Sequence, residues 1–142
     1  MAGARFQSAQ EFREVLDQIF AMMSEDPEMG PKLRDADVPQ RFAFDDFDAV
    51  LNVRAGRPGE EGNLHWEWSD EVSWEPKVKM AMSSETANKY FQGKENVAMA
   101  IARRRIKTGG DVKAALNLMP ITKPIFALYR ALVEERYPHL KV

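Results

Sequence analysis

Cysteine is missing from this 142-residue chain, which excludes disulfides, thiolate-held metals and a cysteine nucleophile. Histidine is scarce. His65 and His139 lie too far apart for an HxH or HExxH metal motif, and one imidazole among scattered acids makes no catalytic constellation. No run approaches the roughly 18 apolar residues of a membrane span. The opening MAGARFQSAQ has no apolar core of the signal-peptide kind, so a cytoplasmic location is expected. What is present is ordinary for a folded protein: 44% hydrophobic and 30% charged residues, with eight Gly and eight Pro. One domain over residues 1–142 is expected, long enough to bury roughly two-thirds of the surface that its unfolded chain would expose.

The formal charge of -2 conceals a division. Residues 1–75 hold 17 acidic against 7 basic side chains, and residues 76–142 hold 5 against 13. A surface polarised in this way would orient the protein toward an anionic partner; charges intermixed in space would not.

Hydrophobic spacing gives the elements. Ser8-Ala9-Gln10-Glu11 is a capping box ahead of Phe12, Val15, Leu16, Ile19, Phe20 and Met23, one stripe of a helix ending near Ser24 or Glu25. Gly30 to Gln40 reads as a Pro-bounded connector. Ala49, Leu51 and Val53, then Leu64, Trp66 and Trp68, then Val78, Met80 and Met82 alternate with period two, which predicts three successive strands in an antiparallel meander. Ser83-Ser84 caps a helix through Ala87, Tyr90 and Phe91 that Gly93 closes, and Val97 to Ile101 forms a further short helical turn. The run ARRRIKTGGD reads as a strand over Arg103–Lys107, a turn at Thr108-Gly109-Gly110, and Asp111 capping a helix with Val112, Ala115, Leu116 and Met119. Pro120 is expected to interrupt that helix. A last one starts near Thr122 and carries Ile125, Phe126, Leu128, Tyr129, Leu132 and Val133.

The phrase MSSETANKYFQGKENVAMAIARRRIKTGGD followed by AALNLMPITKPIFALYRAL resembles the sterol carrier protein 2 family of small lipid-binding domains. The shared pattern is a helix ending in Gly93-Lys94, a short helix over Val97–Ile101, a basic and apolar strand, a Gly110-Asp111 turn and a leucine-rich helix holding Leu116, Leu118 and Met119. The resemblance is specific over residues 78–133; before that only the order of elements agrees. It implies an α+β fold, a twisted, mainly antiparallel sheet of about five strands covered by helices. It also implies an apolar tunnel that takes a sterol, fatty acid or fatty acyl chain without catalysis and without a cofactor. Trp66, Trp68, Met80, Met82, Met99, Leu116, Met119, Ile125, Phe126, Tyr129 and Leu132 are the apolar residues expected to line it, although periodicity does not distinguish a hollow face from a packed one.

Where the family strand usually offers a small residue, often glycine, this chain has Arg104. In strand register Arg104 would share a face with Ile106, and an inward guanidinium needs a carboxylate, from the protein or from an acidic ligand. Arg103, Arg105 and Lys107 on the other face would meet either solvent or, transiently, an anionic membrane surface. A phosphate cradle is disfavoured, because Thr108-Gly109-Gly110-Asp111 lacks the glycine spacing and the following Lys-Ser/Thr, and no nucleic acid partner is expected. Two other readings stay open: a protein-interaction module with a filled tunnel, and a ketosteroid-isomerase-like enzyme with a buried Asp base. The oligomeric state is not legible.

Overall fold

Ser8 opens helix α1 (Ala9–Glu25) in the computed structural model, which describes residues 4–142. Its Oγ accepts from the Glu11 N–H at 3.0 Å, while Glu11 reaches back to the Gln7 N–H at 3.0 Å, so both ends of the capping motif relieve unpaired donors of the first turn. The six stripe residues from Phe12 to Met23 are all buried, each favouring the fold by roughly 1.5–3 kcal/mol over an exposed position.

The expected connector is in part a second helix, α2 (Met29–Ala36). Asp26 begins it, its Oδ1 accepting from the N–H groups of Glu28 at 2.9 Å and Met29 at 2.8 Å, and these two donors hold the Asp26 carboxyl below its ordinary range. Pro31 falls in the first turn, where its missing N–H has no intrahelical partner to lose.

The five strands are β1 (Gln40–Phe44), β2 (Ala49–Ala55), β3 (Leu64–Trp68), β4 (Val78–Met82) and β5 (Lys107–Gly110), in spatial order β3-β2-β1-β4-β5. The expected meander of β2, β3 and β4 holds for the β2–β3 pairing and fails for β4, and β1 is a further strand, antiparallel to β2, that the alternation does not mark. Instead of following β3, β4 pairs in parallel with β1 through Gln40↔Val78, Phe42↔Met80 and Phe44↔Met82; the other three pairings are antiparallel. The connection crosses the outer face of the sheet, where Asn52 Nδ2 donates to Ser69 O at 2.7 Å, Arg41 donates to Asp70 O at 2.9 Å, and the Trp74 ring lies 5.1 Å from the Arg54 guanidinium. That covering explains why Asn52 and Arg54 are buried on a face opposite the apolar one. Arg54 also forks onto both carboxylate oxygens of Glu60, at 2.7 and 2.8 Å.

After β4 come α3 (Ser84–Phe91), capped by Ser83, and α4 (Val97–Ala102), capped by Asn96. The strand expected over Arg103–Lys107 is not formed. Arg103 ends α4, Arg104 takes the left-handed conformation at φ 60°, and the N–H groups of Arg104 and Arg105 return to Ile101 O at 3.1 Å and Ala100 O at 2.8 Å. This is a Schellman closure, the usual place for glycine. The strand begins only at Lys107, so Thr108-Gly109-Gly110 lies within β5 instead of forming a turn. Gly110 is required there: at φ 74° a Cβ would collide with the Lys77 carbonyl.

Asp111 caps α5 (Val112–Thr122), accepting from the Ala114 N–H at 3.0 Å. Pro120 does not interrupt it. The carbonyl that loses its i+4 donor belongs to Leu116, which is half-exposed and can be served by water. Helix α6 (Ile125–Arg136) follows Pro124, and a 3₁₀ turn at Pro138–Leu140 ends the described elements. Among the described residues no helix is long and apolar enough to cross a membrane.

Candidate functional site

One face of every strand points toward the helices, and in the middle of this layer lies a cavity of about 90 Å³. Its floor is Gln40, Phe42 and Phe44 of β1, Val53 of β2, Leu64 of β3, and Met80 and Met82 of β4. Its roof is Leu16, Phe20 and Met23 of α1, Leu33 of α2, Tyr90 and Phe91 of α3, and Val97 of α4; Ile106 and the α5 residues Ala115, Leu116, Leu118, Met119 and Thr122 complete it. No lining side chain is charged. Gln40, Tyr90 and Thr122 supply the only side-chain polarity. Thr122 Oγ1 lies 3.3 Å from the carbonyl oxygens of Leu118 and Met119. Burial pushes the Tyr90 phenol up, opposed only in part by the neighbouring Thr122 hydroxyl. It stays protonated at any physiological pH and offers a neutral polar group.

Of the twelve residues singled out from the sequence, Met80, Met82, Leu116 and Met119 line this cavity. Trp66 and Trp68 share the inner face as their alternation requires, but α1 draws them aside. Asp17 Oδ1 accepts from Trp66 Nε1 at 3.1 Å and from Trp68 Nε1 at 2.8 Å, which places both indoles at a shallow open depression with Gln18, Ala21 and Glu67. Ile125 and Tyr129 are fully buried in α6, and Phe126 and Leu132 are partly buried there. Helix α6 packs on α3 and α1, one layer out from the cavity. Met99 is 42% exposed on α4. Arg104 is exposed in its turn and not on an inner strand face, so the inward guanidinium that strand register demanded does not exist. Sequence reasoning missed the lining contributed by α1 and α2, because a stripe that packs fully and one that borders a void have the same spacing.

The sequence model of the SCP-2 sterol transfer family matches residues 31–123, well over half of the chain. The chain belongs to the SCP-2 sterol transfer family. Solved structures agree on the SCP-2 fold. A UbiJ-SCP2 ubiquinone synthesis protein superposes with a TM-score of 0.60 at 10% identity, covering 85% of this chain and 95% of that one. Sterol carrier protein 2 from Yarrowia lipolytica, in its apo form, gives 0.57 at 10% identity over 84% and 94%. The sterol carrier protein domain 2 of Helicoverpa armigera gives 0.54 at 16% identity over 89% and 96%. A double mutant of the sec-alkyl sulfatase PisA1 matches with a TM-score of 0.61 at 16% identity over 74% of this chain, which spans only 16% of that structure's length. A Pisa1 structure from Pseudomonas sp. is spanned to 14%. No curated protein sequence matches significantly.

The segment matched to the SCP-2 family ends at residue 123, and α6 with the 3₁₀ turn lies beyond it. These elements are tied to α3 by a buried polar network. Tyr129 donates to Asn88 Oδ1 at 2.6 Å, and Asn88 Nδ2 and Gln92 Nε2 both donate to Leu140 O, at 2.8 and 2.7 Å. Across the surface Gln18 Nε2 donates to Tyr137 at 2.8 Å, and His139 Nε2 meets Glu11 Oε1 at 2.9 Å. Tyr90 and Phe91, which line the cavity, are thereby braced from behind.

Proposed function

We propose that the protein binds an apolar lipid in the cavity between sheet and helices and carries or presents it without chemical change. The observation that carries this reading is the lining itself: twenty residues, of which seventeen are apolar and three are neutral and polar. Such a wall binds by removing ligand surface from water, at about 25 cal/mol per Å² before ordering costs. Family membership supports the same reading.

The finer preference is for a ligand whose buried end is uncharged. A carboxylate pushed inside would find no cation, because Arg104 faces outward. A hydroxyl or carbonyl would find Gln40, Tyr90 or Thr122. No Asp or Glu borders the cavity to serve as the base that a ketosteroid-isomerase-like reaction needs. At about 90 Å³ the cavity is contracted compared with the roughly 300–1,000 Å³ of pockets that hold whole ligands. Met23, Met80, Met82 and Met119 give it unbranched, adaptable walls, so uptake proceeds by side-chain rearrangement.

The test is organic extraction of the purified protein with native mass spectrometry, then titration with a fluorescent sterol and a fluorescent fatty acid. Saturable one-to-one binding with preference for the neutral probe is expected, and Leu118→Trp, which fills the cavity, should abolish it while the protein stays folded. Absence of extracted lipid together with no binding of either probe would overturn the reading and favour an interaction module with a filled interior.

A further inference from the structure

The sheet ends in two edges that are built differently, β5 on one side and β3 on the other. Strand β5 is Lys-Thr-Gly-Gly, and its lysine, its glycines and its brevity guard it against pairing with a further strand. Strand β3 is Leu-His-Trp-Glu-Trp, with no proline, glycine, lysine or arginine. Its main chain is accounted for on one side alone. Gly56 N–H donates to Asn63 O at 2.8 Å and Ser69 N–H to Val50 O at 3.0 Å, so Asn63, His65, Glu67 and Ser69 turn their peptide groups toward β2. Those of Leu64, Trp66 and Trp68 point away from it. The Leu64 N–H donates to Ser24 Oγ at 3.0 Å, whereas the N–H and C=O groups of Trp66 and Trp68 find no partner among the described residues.

This free edge borders the open depression that Trp66, Glu67 and Trp68 form with Asp17, Gln18 and Ala21 of α1. None of the six is basic. Residues 58–76, which contain β3 and flank it on both sides, hold six Asp and Glu and no Lys or Arg. Glu67 is exposed and has only the His65 ring near its carboxylate, at 3.9 Å, while Asp17 uses one oxygen for both indole N–H groups. Arg13, one turn before Asp17 on α1, lies over the Trp68 ring at 5.7 Å, which shows that an indole here accepts a guanidinium.

We infer that the free edge of β3 is a docking site for an extended, lysine- or arginine-rich segment of a partner protein, which joins the sheet as a further strand. Main-chain bonds to Trp66 and Trp68 hold it, and its alternate side chains meet the indoles and Asp17 on one face and Glu67 on the other. A second copy of this chain fits poorly. Two β3 edges brought together would set Glu67 and the acidic flanks of one against those of the other. None of the six residues of the depression lines the lipid cavity, so the inference stands apart from the ligand reading.

The experiment is titration of the isotope-labelled full chain with a short peptide alternating lysine and valine, with amide exchange followed residue by residue by NMR. Saturable binding that slows exchange of the Trp66 and Trp68 amides is expected. The same peptide N-methylated on every residue keeps its charge but has no main-chain donors, and should bind at least about tenfold more weakly. A glutamate and valine peptide should not bind. Glu67→Lys should weaken the lysine peptide about fivefold, as an opposite-charge cross-strand pair gives way to a like one. Because Glu67 is exposed, that variant keeps its fold, and lost binding cannot be assigned to unfolding. Equal binding of the methylated peptide, binding that leaves the Trp66 and Trp68 amides exchanging as before, or no binding of the lysine peptide would overturn the inference. Self-association of the chain without peptide that protects these same amides would overturn it too, by making a second copy the occupant.

Discussion

Arg104 shows how one backbone angle can outweigh a side-chain pattern. The alternation of Arg103, Arg104, Arg105 and Ile106 is compatible with a strand, but α4 closes on itself through the carbonyls of Ala100 and Ile101, and that closure demands a left-handed residue. The usual sequence signal for such an end is glycine, and its absence hid the turn. Replacing Arg104 by Gly relieves the left-handed strain and loosens the unfolded chain. The net expected gain is about 0.5–1 kcal/mol, read by denaturant unfolding. Gly110→Ala should act in the opposite sense, losing at least about 2 kcal/mol, because the new methyl meets the Lys77 carbonyl at a left-handed position. At this scale Met80, Met82, Leu116 and Met119 were legible from periodicity. The displacement of Trp66 and Trp68 was not, since it depends on Asp17 of α1, which only tertiary packing brings to both indoles.

Among the elements, those with a complete local signal were legible: α1 with its capping box, α3 with Ser83, α5 with Asp111, and the inner faces of β2, β3 and β4. Helix α2 was obscured because Pro31 reads as a breaker unless the helix start at Asp26 is seen first. The partner of β4 was obscured because strand pairing is a non-local choice, decided here by the buried Asn52 and Arg54 that hold the crossing loop. The 3₁₀ turn after α6 carries a fully buried Leu140, whose carbonyl satisfies two amides of α3. Leu140→Ala should therefore lower stability by about 2–5 kcal/mol. Tyr129→Phe should cost less, about 1 kcal/mol, because Asn88 Oδ1 keeps the Gln92 donor at 2.9 Å. Thermal unfolding of the two variants side by side checks the order. Burial holds the Tyr129 phenol far above its usual range, so this network does not titrate under ordinary conditions.

For the molecule as a whole, acid sensitivity is set in part on the outer face of the sheet. The bidentate bond from Arg54, with help from the Arg57 N–H, brings the Glu60 carboxyl down from an ordinary value of 4.5 to about 2. A depressed carboxyl stabilises the fold fully above its unfolded value, and that contribution is lost as pH falls from about 4.5 through about 2. Glu60→Gln should lower stability at neutral pH and flatten that part of the acid limb, as measured by urea unfolding across the pH range. The parallel pairing of β1 with β4 bears on the order in which the chain is synthesised. Strands β1, β2 and β3 emerge together and can pair at once, but the second edge of β1 waits until Val78–Met82 has left the ribosome. Until then Phe42 and Phe44 stand on an open edge with no neighbour on that side. The nascent chain thus passes through a stage with an apolar strand available to any other extended segment, which is where misassembly of this fold would begin.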